Sequence, residues 1–279
     1  MGRIRLFSSA SGCSVLKMIV TLSWFLSSIS SHASETLVSN LHQIVINNYS
    51  SVNAFYNLGV NIGDRELEGE IENALASSEK ALANIKSETA EQDYRAEIDK
   101  FEQEYTAFRD LLATNVQYMT KRGYPDLRLS DDLTRLNTEF AKHVSSFKEK
   151  VLATSDATIN KEAETCRTVT QILAQLVTKY SARSTSNVSQ VFQGEETGQL
   201  VENTIKIVDD KLAELRNSAN IGPEGQKLLK STATKWKFIR GSFLNYNENN
   251  VNYVVNLYAK KMIAAMTEVE SLILDQRSE

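Results

Sequence analysis

The first residues whose types and spacing could do chemistry are two aromatic side chains, each followed closely by an arginine. The segment "YTAFR", which begins at Tyr105, recurs as "WKFIR", which begins at Trp236. Each ring either fills a layer of a helical core or forms the wall of a ligand cavity, with its OH or NH aimed at a polar group. Arg109 and Arg240 directly follow a core position, so we expect them at a bundle edge, where a surface ion pair is the plain explanation.

Two neighbouring residues in an earlier segment are further candidates. Asn48 lies within an apolar stripe, where a polar side chain needs a partner: a bound ligand, another buried side chain or a water molecule. Tyr49 recurs as Tyr180 later in the chain. We therefore take Asn48, Tyr49 and Tyr180 as candidate ligand-binding residues.

No catalytic set of residues accompanies these candidates. After residue 33 only His42 and His143 remain of the three histidines, and they belong to different predicted helices. The chain has no Cys, His and Asp set at metal-ligand spacing, no glycine-rich phosphate loop and no nucleophile elbow. The sequence predicts a protein that is not an enzyme and that uses no cofactor and no metal.

The elements that must position the candidates are helices. The 279 residues carry a net charge of −4 and include only two prolines and eleven glycines, the residues that turns require. After residue 33 the apolar residues recur at intervals of three and four, which is typical of helices packed on helices. The mildly acidic charge argues against a nucleic-acid partner, because such partners call for a basic stripe.

The first 33 residues have the pattern of a secretory signal peptide. Arg3, Arg5 and Lys17 accompany a short apolar run over residues 18–26, and small residues lead to Ala33. The run is shorter than the roughly 20 residues that a membrane span needs. We predict cleavage after Ala33 and export to the periplasm, with an uncleaved N-terminal anchor as the alternative.

Cleavage would leave Cys166 as the single cysteine, since Cys13 lies in the removed segment. A lone thiol in an exported protein either links a homodimer or is buried. Cys166 falls on an apolar helical stripe, which favours a buried and inert thiol.

The helical pattern is repeated once along the chain. The stripe from Ile71 to Ile85 matches the stripe from Val201 to Leu215 at a shift of 130 positions. One repeat contains four helical segments, enough to close an apolar core, which a single pair of helices cannot do. The first repeat covers about residues 35–154 and the second about 156–279.

The predicted fold is all-α, with two four-helix-bundle modules stacked end to end. It is built from about six helices, of which the fourth continues through "TSDAT" and reaches roughly 50 residues, or near 75 Å. The sixth passes the Asn-rich stretch "NYNENNVN", which is either a loop or a hydrated helical segment where the modules meet. These two long helices would be shared by both modules.

This arrangement resembles the helical bimodular sensor domain of bacterial chemoreceptors and sensor kinases, over about residues 34–279. It is more weakly similar to the nitrate- and pilus-type helical sensor domains. The resemblance implies extracytoplasmic sensing of a small ligand, often an organic acid, which basic residues of the first helix and of its counterpart in the second module would bind. The first helix here has no Arg or Lys, whereas the counterpart has Lys179 and Arg183. The resemblance therefore implies an anion site in the second module.

The predicted function is that of an exported, non-enzymatic helical-bundle protein that binds a small polar metabolite. Since the chain shows no second transmembrane helix and no signalling part, we expect it to signal through a membrane receptor or kinase. The alternative is a structural or adaptor bundle that binds another protein without a small-molecule ligand, and a homodimer remains open. The candidate ligand-binding residues are Asn48, Tyr49, Tyr105, Lys179, Tyr180, Arg183 and Trp236.

Overall fold

The structure is a computed structural model that describes residues 13–90, 94–154, 159–185, 198–245 and 250–276. Side chains are described for residues 35–90, 94–153, 159–184, 201–245 and 250–276. The predicted signal peptide lies outside the residues with described side chains, so its identity stays a prediction. Within the described ranges the chain forms eight α-helices and no strand, which confirms the all-α class. The helices are α1 (Cys13–Val60), α2 (Arg65–Glu88), α3 (Arg95–Arg122), α4 (Leu127–Thr154), α5 (Lys161–Thr185), α6 (Gly198–Asn217), α7 (Pro223–Leu244) and α8 (Asn252–Asp275).

Several helix ends follow directly from local sequence. Gly63 has a φ of 87°, a left-handed conformation that glycine adopts without a steric penalty. Asp64 then begins α2, because its carboxylate accepts hydrogen bonds from the backbone N–H groups of Glu66 at 2.9 Å and Leu67 at 3.3 Å. Pro223 occupies the first turn of α7, where its missing N–H costs nothing. The predicted boundaries at these positions are confirmed.

The buried apolar residues of the described helices form two hydrophobic clusters, and helices α1 to α4 and α5 to α8 are called the first and the second group below. Helices α1 to α4 contact one another and bury Phe55, Phe108 and Phe140. Helices α5 to α8 do the same around Trp236 and Phe243. Burying one such side chain contributes about 1.5–3 kcal/mol, so each core can hold four amphipathic helices together.

The predicted number of helices was too low, because both long helices are interrupted. Helix α4 ends at Thr154 and α5 begins at Lys161. Asn160 restarts the helix, since its side-chain oxygen accepts a hydrogen bond from the backbone N–H of Ala163 at 2.9 Å. The predicted sixth helix is likewise divided into α7 and α8, with a break between Leu244 and Asn252.

The two groups lie side by side along α1 and α5, whereas the sequence predicted end-to-end stacking. These helices run parallel, from a contact of Glu35 with Arg167 to a contact of Asn57 with Ser181. Helix α8 runs antiparallel to α1 on the same side. The interface of α1 with α5 and α8 is called the seam below. The two groups pack in this way because α1 has no face that remains in solvent: every residue from 44 to 58 except Ser50 is buried.

Candidate functional site

A cavity of about 230 Å³ opens at the seam. Its walls come from α1 and α2 of the first group and from α5 and α8 of the second. A molecule in this cavity would therefore contact both groups at once. The lining residues are Tyr49, Ser50, Asn53, Glu70, Asn73, Ala174, Val177, Thr178, Lys260 and Ile263.

One ion pair lies at the edge of this cavity. Lys260 Nζ of α8 donates to both carboxylate oxygens of Glu70 of α2, at 2.6 and 2.5 Å. The Lys260 side chain is 41% exposed and that of Glu70 33%, so both remain accessible to a molecule that enters from solvent. The pair bridges the two groups, and it supplies the only formal charges among the described lining residues.

Three other polar side chains of the wall, Tyr49, Thr178 and Asn53, are already engaged with the protein. The Tyr49 hydroxyl accepts a hydrogen bond from Gln175 Nε2 at 3.4 Å, and burial raises the pKa of Tyr49. The Thr178 hydroxyl lies 2.7 Å from the carbonyl oxygen of Ala174 and 3.1 Å from that of Tyr49. Asn53 Nδ2 donates to Asn256 Oδ1 at 2.7 Å. These three satisfied groups offer a ligand little residual polarity, whereas Ser50 and Asn73 add two further polar side chains to the wall.

Below the cavity the seam contains an amide network, formed by Asn53, Asn57, Ser181, Asn252 and Asn256. Asn252 Nδ2 donates to Asn57 Oδ1 at 2.7 Å, and Asn256 Nδ2 donates to Ser181 Oγ at 2.9 Å. Both helices contribute amides four residues apart, so the side chains stack along one face of each helix. Asn252, the last residue of the predicted Asn-rich stretch, thus lies where the two groups meet.

On the other side of the cavity from the amide network, an arginine of the seam is buried between two carboxylates. Arg167 of α5 is 1% exposed; its Nη2 donates to Glu35 Oε1 and its Nε to Glu270 Oε1, both at 2.7 Å. Ser39 Oγ also donates to Glu270 Oε1, at 3.0 Å. Burial raises the pKa of Glu270, which Arg167 partly opposes. This charge cluster joins α1, α5 and α8, and all three of its ionised groups come from different helices.

His42 of α1 lies beside that cluster, with Nε2 at 2.7 Å from Thr170 Oγ1. Desolvation of the ring lowers the pKa of His42 to about 3, with added effects from the positive charges of Arg167 and Lys148. The imidazole is therefore neutral at neutral pH. A neutral, hydrogen-bonded ring is suited to packing and not to proton transfer near pH 7.

The predicted site residues fall in separate places, and only Tyr49 lines the cavity. Asn48, which is fully buried, faces α2, where Ser78 Oγ donates to its Oδ1 at 2.9 Å. The partner of Oδ1 is thus another buried side chain, whereas Asn48 Nδ2 is buried and has no hydrogen-bond partner in the described part of the chain. Tyr105 is in the first core, and its hydroxyl donates to the carbonyl oxygen of Leu75 at 2.9 Å.

The remaining candidates belong to the second group. Trp236 is buried in the second core, and its Nε1 donates to Asp209 Oδ1 at 2.6 Å. The Tyr180 hydroxyl accepts from the backbone N–H of Val251 at 3.0 Å. Lys179 and Arg183 are partly exposed on α5, and neither lines the cavity. The structure therefore does not bring the predicted anion-site residues to the seam cavity.

The repeated arginines form the predicted edge ion pairs. Arg109 Nη1 lies 3.4 Å from Glu79 Oε1, and Arg240 Nη2 lies 2.7 Å from Asp209 Oδ2. In both groups the acid lies on the second helix and the arginine on the third. The same contact thus recurs at matching positions of the two repeats.

None of the charged residues at the seam and its cavity was a candidate from the sequence: Glu35, Arg167 and Glu270 in the buried cluster, and Glu70 and Lys260 at the cavity. Arg167 precedes Thr170 by three positions and so lies on the face of α5 that meets α1. The available signal was in α1, where residues 36–63 contain no charged side chain. A helix without a solvated face is buried on all sides, and one four-helix group alone cannot cover it.

The thiol of Cys166 offers no reactive site. Cys166 is fully buried and free, as predicted, and burial raises the pKa of its thiol to about 12. No group of three or more His, Cys, Asp or Glu side chains that could hold a metal occurs in the described part of the chain. None of the described helical segments has the length and apolarity of a membrane span. Among known proteins, no family model, no curated protein and no solved structure matches this chain.

Proposed function

We propose that this protein is a non-catalytic binding protein that takes a small polar ligand into the seam cavity. The observation that carries the proposal is that α1 and α2 of one group and α5 and α8 of the other all line this cavity. A ligand there stabilises whichever arrangement of the two groups fits it better. Binding shifts the packing only as far as the ligand's affinities for the two arrangements differ.

The sensory part of the proposal follows from the same placement. We propose that the groups are two units of a duplicated four-helix bundle and that a membrane receptor or kinase reads their relative arrangement. The bridge between Glu70 and Lys260 supports this, since a ligand that separates the pair alters a direct link between the groups. Export to the periplasm and the resemblance to helical bimodular sensors belong to the same proposal.

The experiment is a thermal-shift screen with small carboxylates, amines, amino acids and polyols. A ligand of the cavity raises Tm, because it binds only the folded state. Ile263→Phe places a larger side chain in the cavity and should abolish the shift. Ile172→Phe is the matched control: Ile172 is also partly buried but does not line the cavity, so the shift should persist. The proposal fails if no compound raises Tm or if both variants respond alike.

A structural or adaptor role is the second candidate, and exposed rings on α7 and α8 favour it. Phe238 is 65% exposed and Tyr253 78%, and the Phe238 ring contacts the Tyr258 ring edge-on at 5.2 Å. Exposed aromatic side chains on neighbouring helices are typical of association surfaces. The double variant Phe238→Ser/Tyr253→Ser should reduce self-association measured by sedimentation velocity if a second copy covers this surface. Unchanged sedimentation would remove the support for this role.

A further inference from the structure

We infer that the ligand of the seam cavity is a zwitterion, an α-amino acid with a short aliphatic side chain. The inference rests on the proposed function and specifies its ligand class. It starts from the charges of the cavity, which are one carboxylate and one ammonium, Glu70 and Lys260. These two groups touch each other at 2.5 Å, on opposite sides of the interface between α2 and α8.

A ligand with a single charge can pair with only one of these two side chains and leaves the other without a partner. A carboxylate that takes Lys260 leaves Glu70 without its cation, and an amine that takes Glu70 leaves Lys260 without its anion. A zwitterion satisfies both, since its carboxylate pairs with Lys260 and its ammonium with Glu70. The exchange turns one ion pair into two charge-assisted contacts. Because both side chains are partly exposed, separating them costs little.

The apolar part of the wall determines the rest of the molecule. Ala174, Val177 and Ile263 offer an apolar surface, while Thr178 and Asn53 already use their hydrogen-bonding groups within the protein. A polar ligand side chain that packs against Ala174, Val177 and Ile263 would find no hydrogen-bond partner and would lose its hydration. An aliphatic side chain gains by leaving water. The volume of about 230 Å³ is sufficient for a molecule of the size of leucine.

The same geometry connects binding to the packing of the two groups. In the structure α2 and α8 are joined by direct contact of Glu70 with Lys260. An amino acid between these side chains keeps the bridge but lengthens it by its own ammonium and carboxylate. The part of this added length that the two side chains do not absorb displaces α2 from α8, and this displacement is what a partner could detect.

The experiment compares three molecules of one shape by isothermal titration calorimetry with the wild-type protein. Leucine carries both charges, 4-methylpentanoate lacks the ammonium, and 3-methylbutylamine lacks the carboxylate. We expect leucine to bind at least about tenfold more tightly than either analogue, since each lacks one of the two ion pairs. Equal or tighter binding of 4-methylpentanoate that is lost in Ile263→Phe would overturn the amino-acid assignment and leave the proposed binding function standing. No binding by any compound of the screen overturns both.

Variants of the ion pair give a second, independent test. Lys260→Met should weaken leucine at least about tenfold while strengthening 3-methylbutylamine, because Glu70 is then free for the amine. Glu70→Gln should weaken leucine and strengthen 4-methylpentanoate. The exchange Glu70→Lys/Lys260→Glu restores both charges and should recover leucine binding. Lys86→Met removes a comparable exposed pair with Glu102 far from the cavity and should leave leucine binding unchanged. Parallel losses for all three molecules in Lys260→Met would overturn the assignment.

Discussion

At the scale of single residues, Arg167 is the most deeply buried charged residue in the described part of the chain. Its guanidinium is taken out of water between Glu35 and Glu270, and each of these groups depends on the others for its partner. The net stabilisation from such a buried cluster is small, because desolvation offsets most of the attraction. Its effect on specificity is larger, because any other register of α1 against α5 and α8 would bury a charge without a partner.

Substitution of Arg167 therefore has a predictable cost. Arg167→Met leaves two buried carboxylates uncompensated and should lower the free energy of unfolding by about 3–5 kcal/mol. Urea unfolding at neutral pH measures this. Adding Glu35→Gln and Glu270→Gln to that variant should recover part of the loss. The control Arg135→Met removes exposed pairs with Asp132 and Glu139 and should cost under about 0.5 kcal/mol. Equal effects of the two Met variants would contradict the prediction.

His42 makes the stability depend on pH. Its pKa of about 3 in the folded protein lies below the ordinary value of 6.5. Between these values the unfolded chain binds a proton that the folded chain does not, so stability rises with pH. The contribution is complete above pH 6.5 and is lost as the pH falls toward 3. His42 is half-buried as a residue, so screening by solvent reduces this effect. We expect the free energy of unfolding to fall by on the order of 2 kcal/mol between pH 7 and pH 4.

The variant His42→Gln isolates this effect. Glutamine can still hydrogen-bond to Thr170 but does not titrate, so its unfolding free energy should fall less than that of the wild type over the same pH range. Glu270 acts in the opposite sense, since its raised pKa makes its contribution fall as pH rises, but it is common to both proteins. Parallel pH profiles for the wild type and His42→Gln in urea unfolding would mean that burial does not lower the pKa of His42.

At the scale of elements, the short break between α4 and α5 allows the second group to pack beside the first. A continuous helix would have carried the second group away from the first along the helix axis. The cap at Asn160 instead lets α5 begin beside α1, where the backbone N–H of Asn160 also donates to Glu35 Oε2 at 3.2 Å. One residue thus favours both the helix start, through its side chain, and the side-by-side packing, through its backbone N–H.

Removal of this cap should be measurable. Asn160→Ala loses the hydrogen bond to the N–H of Ala163 and should destabilise the protein by about 1 kcal/mol. The control Asn203→Ala lies on an exposed position inside α6, where alanine is the better helix former, and should be neutral or slightly stabilising. Thermal unfolding followed by circular dichroism distinguishes the two. A loss no larger than that of the control would mean that the cap does not determine where α5 begins.

At the scale of the whole molecule, two groups of four helices share one central helix. Helix α1 belongs to the first core, yet its buried amides and Glu35 contact α5 and α8 of the second group. A ligand at the seam contacts all of these elements, which is why the proposed binding and the proposed signalling depend on the same surface. Both proposals also require the protein to reach the compartment where its ligand is found.

Export can be tested on the full-length chain. The small residue Ala33 precedes the predicted cleavage point, and signal peptidases require small side chains there. We expect the periplasmic protein from a bacterial host to begin at Ser34, as measured by intact mass. Ala33→Arg should block processing and keep the chain at the membrane, whereas Ala33→Gly should be processed normally. A periplasmic protein that retains residues 1–33 would contradict cleavage.

Much of the local structure could be predicted from the sequence. The three- and four-residue spacing identified the helices, and Gly63 with Asp64 marked the boundary of α2. Tyr105 and Trp236 were recognised as residues of either a core or a cavity wall, and the structure buries both in cores. The failures share a cause: "TSDAT" contains no proline or glycine, so the break before Asn160 left no strong local signal. Asn48 needed a partner, but its own sequence neighbourhood could not show that Ser78 supplies it.

The sequence by itself determined the fold class, the apolar face of most helices and the absence of charge from α1 between residues 36 and 63. These follow from local periodicity and composition, which depend on residues a few positions apart. Only the tertiary structure decided that α1 packs against α5 and α8, that a cavity remains at this seam and that Glu70 meets Lys260 across 190 positions of sequence. The reason is that periodicity states which face of a helix must be buried, whereas the partner for that face is selected by the packing of all eight helices together.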